Sequence, residues 1–180
     1  WGGVQDEKDL TWFLGALKEQ LSSAREAATD VLGLDCEYQR EAGIMRLRAT
    51  TKIAAFLEKG HYEQIAMHDT PMTPAMVPHL ALANTPSTEE EHLVMKDKIK
   101  EYRTCTGFFC YVTNTVFVDC RNTGRILSKF LSNPGEKHYE ACMHAVGFMR
   151  RNQDEYIEYR RGEDFNGEFR IFTMVDADLG

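Results

Sequence analysis

Residues 31–49, VLGLDCEYQREAGIMRLRA, constrain the fold more than any other stretch of the chain. Large apolar side chains occupy every second position on both sides of a turn that contains Gly43. These positions are Leu32, Leu34, Cys36, Tyr38, Met45 and Leu47. A period of two residues places alternate side chains on opposite faces of a strand, so that one face can be buried. The segment therefore predicts a β-hairpin.

Apolar residues at helical spacing predict helices near 6–26, 50–60 and 134–151, and the charged stretch 89–103 also has a helical pattern. The next stretch, 104–118, is ambiguous: its β-branched and aromatic residues favour a strand, while the spacing of its large side chains favours a buried helix. Strand patterns return after Tyr156. Together these patterns predict an α+β chain that is mostly helical, with a hairpin and terminal strands.

Four of the five prolines lie between residues 69 and 88, in DTPMTPAMVPHLALANTPST. Proline disfavours helical backbone at the preceding residue and interrupts helices and strands. This segment therefore predicts a linker or an extended crossing over the surface.

The chain has 180 residues and a net charge of −7. An acidic balance argues against general attraction to nucleic acid. The charge is unevenly distributed, because residues 121–161 contain eight basic and five acidic side chains, a local charge of +3. This segment is either a solvated surface of mixed charge or a modest phosphate-contacting surface.

The five cysteines are odd in number and include no CxxC pair, which favours reduced thiols in an intracellular protein over a disulfide framework. No apolar run reaches the ~18 residues that indicate a membrane span, and no signal peptide is evident. We therefore expect no membrane partner. The chain begins with Trp1, so we expect it to be a piece of a longer protein.

His138, Cys142 and His144 lie within seven residues, which raises the question of a metal site. His138 and Cys142 are four residues apart and share a helix face, whereas His144 is about 120° away from His138 on ideal geometry. Three ligands cannot converge from these positions without a bend in the helix. We interpret Cys142 as a core residue and the histidines as helix-surface or interface residues.

The start of this helix is also readable from the sequence. Asn133 is a good N-cap residue, and Pro134 fits the first turn. Glu136 follows at the third position, where it can complete a capping box. We therefore expect the helix to begin with Asn133 as its cap.

The order of five motifs makes the chain resemble, over nearly its whole length, the reverse transcriptase segment of Ty1/copia-type retrotransposon Pol polyproteins. Each motif is weak alone, and their order and spacing carry the resemblance. They are the hairpin sequence at 31–49, DTPM at 69–72, YRTCTG at 102–107, LSKFLSNPGEKHYEACMHAVGFMRR at 127–151 and VDADLG at 175–180.

The resemblance implies four segments and resolves 104–118 in favour of a helix, which adds a helix near 102–118. The segments are 1–49, the end of a palm helix plus a primer-grip-like hairpin; 50–88, a thumb-like helix and a Pro-rich linker; 89–161, a helical connection; and 162–180, the first strands of a ribonuclease H-like domain.

The resemblance also implies contacts to nucleic acid. Gly33, in the primer-grip-like hairpin, would let the backbone approach a primer phosphate closely. Lys52 and Lys59, on the thumb-like helix, would contact sugar and phosphate of an A-like hybrid. The candidate contacts in the connection are Arg121, Arg125, Lys129, Arg150 and Arg151.

Asp176 matches the family's first ribonuclease H aspartate, and Asp178 would lie on the same face of a predicted strand. Two-metal phosphodiester hydrolysis uses such carboxylate clusters. The other acids of the site would lie beyond Gly180, so these two form an incomplete and weak Mg²⁺ site. We expect Mg²⁺ in the parent enzyme and none bound by this chain alone.

The expected function is therefore that of a non-catalytic part of a retrotransposon RNA-directed DNA polymerase, located in the cytoplasm, a virus-like particle or the nucleus. It would help to hold an RNA–DNA template–primer, weakly and without sequence preference, beside the palm and ribonuclease H portions of the parent polyprotein. The alternative is a host-retained fragment that acts as a protein-interaction or scaffold domain. An independent metalloenzyme built on His138, Cys142 and Asp176 is the weakest hypothesis.

We expect the isolated chain neither to extend a primer nor to cleave RNA in a hybrid. The family's catalytic Y-V-D-D strand would precede Trp1, and the ribonuclease H site would be incomplete. Primer extension and hybrid cleavage with Mg²⁺ or Mn²⁺ test this, with a complete reverse transcriptase as the positive control. Extension by clean protein would contradict the placement of the palm outside the chain.

Overall fold

The computed structural model describes residues 30–39 and 41–162 and, ahead of them, Lys8, Thr11, Trp12 and Gly15. Within these residues the fold is α+β and mostly helical, with an antiparallel sheet, as predicted. The strands are β1 (Asp30–Val31), β2 (Leu34–Gln39), β3 (Ile44–Arg48) and β4 (Tyr156–Arg160). The helices are α1 (Thr50–Gly60), α2 (Met76–Ala81), α3 (Glu89–Thr115), α4 (Arg121–Ser128) and α5 (Glu136–Arg151), with a 3-10 turn at Val118–Cys120.

The predicted hairpin is formed by β2 and β3, and Gly43 turns between them with a φ of +63°. The sheet order is β1-β2-β3-β4, and all neighbouring strands are antiparallel. Strand β4, which follows α5 in the chain, pairs with β3, so that Met45 lies opposite Tyr159. The end of the helical connection therefore returns to the sheet that the hairpin begins.

Leu32 departs from the predicted alternation. It lies in the turn between β1 and β2 with a φ of +57°, and its side chain is 88% exposed. The rest of the predicted face is only partly buried: Leu34 is buried, Cys36, Met45 and Leu47 are half-buried, and Tyr38 is 62% exposed. Two successive positive φ values, at Leu32 and Gly33, form the tight turn that a two-residue connection requires.

Helix α3 settles the ambiguous stretch in favour of a helix. Its start is capped reciprocally, because Glu91 N donates to Thr88 Oγ1 and Thr88 N donates to the Glu91 carboxylate, each at 3.2 Å. Its buried residues begin only at Tyr102, so the first turns project beyond the core. All five residues of the predicted stripe are buried: Tyr102, Cys105, Phe109, Val112 and Val116.

Helix α5 packs beside α3, and α1 adds to the same core. Helical spacing predicts one buried stripe on α5 at Tyr139, Cys142, Val146 and Met149; the last three are fully buried, and Tyr139 is half-buried. On α1, Ile53 and Leu57 are buried and point into the same cluster.

The predicted Asn133 cap is wrong. Helix α5 begins at Glu136, Gly135 is its cap residue, and Gly135 N donates to His138 Nδ1 at 2.9 Å. Asn133 Nδ2 instead donates to the carbonyl of Pro86 at 2.9 Å. A Cβ at Gly135 would lie 1.9 Å from the Asn84 carbonyl oxygen. The backbone at Gly135 therefore packs directly against the backbone at Asn84, which leaves no room for a side chain.

The Pro-rich segment 69–88 is not wholly extended, because it contains the short helix α2. Leu80 of α2 is buried in the core. Pro78 lies in the first turn, where a missing backbone N–H costs no helical hydrogen bond. The prolines correctly predicted irregular backbone on both sides of α2, but they gave no sign of the helix itself.

The predicted helix near 6–26 lies mostly outside the described residues, although Lys8, Thr11, Trp12 and Gly15 are helical. The predicted strands after residue 162 also lie outside them. In the described part of the chain, no helix combines the length and apolar character needed to cross a membrane.

We expect Phe109→Ala to lower the free energy of unfolding by about 3–5 kcal/mol, because the ring is fully buried and its loss leaves a cavity. Leu93 is a large apolar residue of the same helix, but its side chain is 72% exposed. Leu93→Ala should therefore change the free energy of unfolding by less than about 0.5 kcal/mol. Urea denaturation measures both. Equal effects would contradict the position of the α3 core stripe.

Candidate nucleic-acid interface

Helix α1 presents two of the predicted contacts on its exposed side. Lys52 and Lys59 are seven residues apart, which is about two helical turns, so both lie on one face. Ile53 and Leu57 hold the other face in the core. The two ammonium groups therefore project from a fixed helix, about 10 Å apart along its axis.

The turn between β1 and β2 lies against this helix. A Cβ at Gly33, which has a φ of +80°, would be 2.3 Å from Lys52 Cε. Tyr111 of α3 donates its hydroxyl to the Leu32 carbonyl at 3.0 Å. The structure thus brings the Gly33 backbone and the Lys52 side chain together and ties the turn to α3.

Helix α4 presents three predicted contacts as one row, which we call the basic stripe: Arg121, Arg125 and Lys129. They are spaced four residues apart, and all are exposed. The opposite side of α4 is in close contact with α3, where a Cβ at Gly124 would lie 3.2 Å from Cys110 Sγ. No residue of the basic stripe forms an ion pair with another described residue.

Arg150 and Arg151 have partners inside the protein. Arg150 Nη1 donates to the Ile65 carbonyl at 2.6 Å, and Arg151 Nη2 lies 2.9 Å from Asp69 Oδ1. Nearby, a Cβ at Gly147 would be 2.0 Å from the Ala66 carbonyl oxygen. The two arginines therefore fasten the segment 65–69 to the end of α5.

The outer face of the sheet is charged but internally paired. Arg46 lies 2.7 Å from Glu158 and 3.3 Å from Glu37, across three adjacent strands. Arg160 also pairs with Glu158. The Arg46 and Arg160 guanidinium groups hold the pKa of the Glu158 carboxyl below its usual range. This face therefore offers little unneutralised positive charge.

The histidines and the cysteine of α5 point to different parts of the structure. The predicted surface or interface position is wrong for His138, which is buried. Its Nε2 lies 2.9 Å from the Leu80 carbonyl oxygen of α2, and its Nδ1 accepts a hydrogen bond from Gly135 N. Cys142 is fully buried, as predicted, with its Sγ 3.5 Å from Thr106 Oγ1. His144 Nε2 is 3.0 Å from the Thr70 carbonyl oxygen, and its ring stacks on His68.

Asp176 and Asp178, the predicted metal ligands, lie outside the described residues. Among residues 30–39 and 41–162, no three histidine, cysteine, aspartate or glutamate side chains are arranged to hold a metal ion.

One basic surface was missed by sequence reasoning. His92, Lys96 and Lys100 recur every four residues along α3, and Arg103 follows one turn later. The signal was hidden because residues 89–103 contain five acidic and four basic side chains, so their sum suggests no positive surface. On the folded helix, however, Lys96, Lys100 and Arg103 share one face with a single lining acid, Asp97.

No protein-family model, curated protein or solved structure matches this chain. Inference about function therefore starts from the surfaces of the chain itself and from its motifs.

The buried His138 should make stability depend on pH. Burial lowers its pKa, and the hydrogen bond with the Leu80 carbonyl opposes that shift only in part. The unfolded chain, with a histidine pKa of about 6.5, then binds the proton more readily than the folded chain. The free energy of unfolding should therefore decrease as pH falls through about 6.5, by at most about 1.4 kcal/mol per pH unit for this group.

Urea denaturation between about pH 7.5 and pH 5 measures this effect. We expect His138→Gln to have a shallower pH dependence than the wild type, whatever its absolute stability. His92→Gln, at an exposed position of α3, serves as the control and should retain the wild-type dependence. An unchanged dependence in His138→Gln would show that other groups cause it.

Proposed function

We propose that this chain is a non-catalytic part of a retrotransposon RNA-directed DNA polymerase and helps to hold an RNA–DNA template–primer. The observation that carries the proposal is the basic stripe on α4. Its three cations share one exposed face, and among the described residues none of them is neutralised by an acid. The motif resemblance to a reverse transcriptase identifies the expected partner of this row as an RNA–DNA duplex.

The spacing of the basic stripe suits a phosphate backbone. Cations four residues apart are about 6 Å apart along the helix axis, so the stripe extends over about 12 Å. Each strand of a duplex carries one negative charge per ~3.4 Å of the duplex axis. A backbone lying along α4 would therefore always place a phosphate within reach of each cation. Such contacts position a duplex and carry no sequence information.

The turn at Gly33 supports the same role. The Lys52 side chain packs over the Gly33 backbone in the space that a Cβ would fill, so the turn holds this cation at the surface, where it can contact a phosphate. Lys59 continues the positive face of α1 two turns further on. Lys52 and Lys59 are thus further exposed cations of the described chain that the proposal assigns to phosphate contact.

The affinity of this surface should be low. The net charge of −7 repels a polyanion, and the contacts are few. Non-specific contacts of this kind give a Kd of about 10⁻⁴–10⁻⁶ M at physiological salt. The palm and ribonuclease H portions of the parent polyprotein, with Mg²⁺, would supply the chemistry and further binding. The role implies an intracellular location.

A second candidate is a protein-interaction or scaffold domain. It is favoured by large apolar side chains at the surface: Leu82 and Val94 are each 83% exposed, and Leu93 is 72% exposed. Large exposed apolar patches often mark contacts with other proteins. This candidate predicts no dependence of binding on the basic stripe.

A salt titration of fluorescence anisotropy with a labelled RNA–DNA hybrid separates the two candidates. With about three contacts, log K should fall against log[salt] with a slope of roughly −2 to −3. Arg125→Gln with Lys129→Gln should make the slope shallower by about 2, because each phosphate contact contributes about 0.9. Arg150 and Arg151 are unsuitable for this test, because their removal would release the segment 65–69.

The matched control removes two cations that are already paired with glutamates, Lys98→Gln with Lys137→Gln. It should keep the wild-type slope. Absence of wild-type binding even at low salt would reject the template-holding role and favour the protein-interaction candidate.

A further inference from the structure

The projecting part of α3 forms a groove with the chain that follows α4. The groove has a volume of about 750 Å³ and is lined mainly by His92, Lys96, Lys100 and Arg103, with Ser132 on the other side. Lys96 and Lys100 are exposed, so their ammonium groups are accessible. Its lining includes no residue of α1 or of the basic stripe.

Arg103 builds this groove without losing its charge. Its Nε and Nη2 donate to the carbonyl oxygens of Leu131 and Ser132, each at 2.8 Å. Carbonyl oxygens carry no net charge, so the guanidinium remains an unneutralised cation. Tyr102 Oη donates to the Leu127 carbonyl at 2.6 Å, which further fixes the end of α4 against α3. These hydrogen bonds tie the chain on the far side of the groove to α3.

The local charge is positive. Lys96, Lys100 and Arg103 face one acid in the groove lining, Asp97. None of these cations forms an ion pair within the described part of the chain, whereas Lys98, on another side of α3, lies 2.5 Å from Glu136. Lys98 is thus neutralised by Glu136 of α5, whereas Lys96 and Lys100, which line the groove, have no acidic partner among the described residues.

The basic stripe leads towards this groove. Lys129, its last residue, precedes Leu131 by two positions, and Leu131 is held by Arg103. From Arg103, the cations continue along α3 to Lys100 and Lys96 over about 10 Å. The chain that follows Lys129 therefore runs directly to the groove cations through Arg103.

We infer that this groove binds consecutive phosphate groups of a nucleic-acid strand and extends the surface of the proposed template–primer contact beyond α4. Lysine acts on phosphate as a point charge, so two lysines beside an arginine suit a chain of phosphates without requiring a fixed register. The inference rests on the proposed function for the identity of the polyanion. Inorganic polyphosphate offers the same chemistry from another source.

The groove variant is Lys96→Gln with Lys100→Gln, two exposed positions whose change should leave the fold intact. Arg103 is left in place because it fastens the chain after α4. The matched control is again Lys98→Gln with Lys137→Gln, which removes the same charge. A gain-of-function variant, Asp97→Asn, removes the acid in the groove and cannot act through misfolding if it strengthens binding.

Three probes are titrated by anisotropy at several salt concentrations: a labelled 20-base-pair RNA–DNA hybrid, labelled inorganic polyphosphate and a labelled glutamate-rich peptide. If Lys96 and Lys100 add about two contacts to the roughly three of the basic stripe, the wild-type salt slope for the hybrid steepens to roughly −4 to −5. We expect the groove variant to return the slope to roughly −2 to −3 and to weaken hybrid binding about tenfold or more at 50 mM salt. Asp97→Asn should strengthen hybrid binding, and the control should match the wild type.

The outcomes separate this inference from the proposed function. Hybrid binding that depends on the basic stripe but not on Lys96 and Lys100 would overturn the groove and leave the proposed function standing. Polyphosphate binding that needs these lysines, with no hybrid binding, would support the groove and reject the proposed function. Lysine-dependent binding of the glutamate-rich peptide alone would overturn the inference and indicate a protein partner.

Discussion

Helix α3 is buried along one side against α4 and α5, and the surfaces that bear on function depend on this contact. Its core stripe, from Tyr102 to Val116, leaves the first turns projecting and turns their cations outward. The close approach of α4 at Gly124 directs the basic stripe away from the core. A cavity at Phe109 would therefore weaken the packing that positions both basic surfaces.

The position of each arginine and lysine matters more than their number. Arg150 and Arg151 tether the segment 65–69, and Arg46 is neutralised by acids of neighbouring strands. No residue of the basic stripe pairs with an acid among the described residues, and Arg125 donates only to the Asn122 amide oxygen of its own helix. A locally positive stretch of sequence is thus divided by the fold into cations that hold the protein together and cations left for a partner.

Features that depend on neighbours in sequence were predictable. The hairpin follows from period-two alternation around Gly43, and the buried face of α5 follows from helical spacing. The Asn133 cap was misjudged because a tertiary contact with Pro86 competes with local capping. The pairing of β4 with β3 joins residues more than a hundred positions apart, which no local pattern encodes.

The sequence by itself determined the types of element, the core stripes and a set of candidate cations, because propensity and periodicity act over a few residues. The tertiary structure alone decided which cations are used internally and which lie together. The groove beside Arg103 exists only because α4 runs back along α3 and places Leu131 and Ser132 next to it. Charge acts through space, so its function depends on the neighbours that folding supplies.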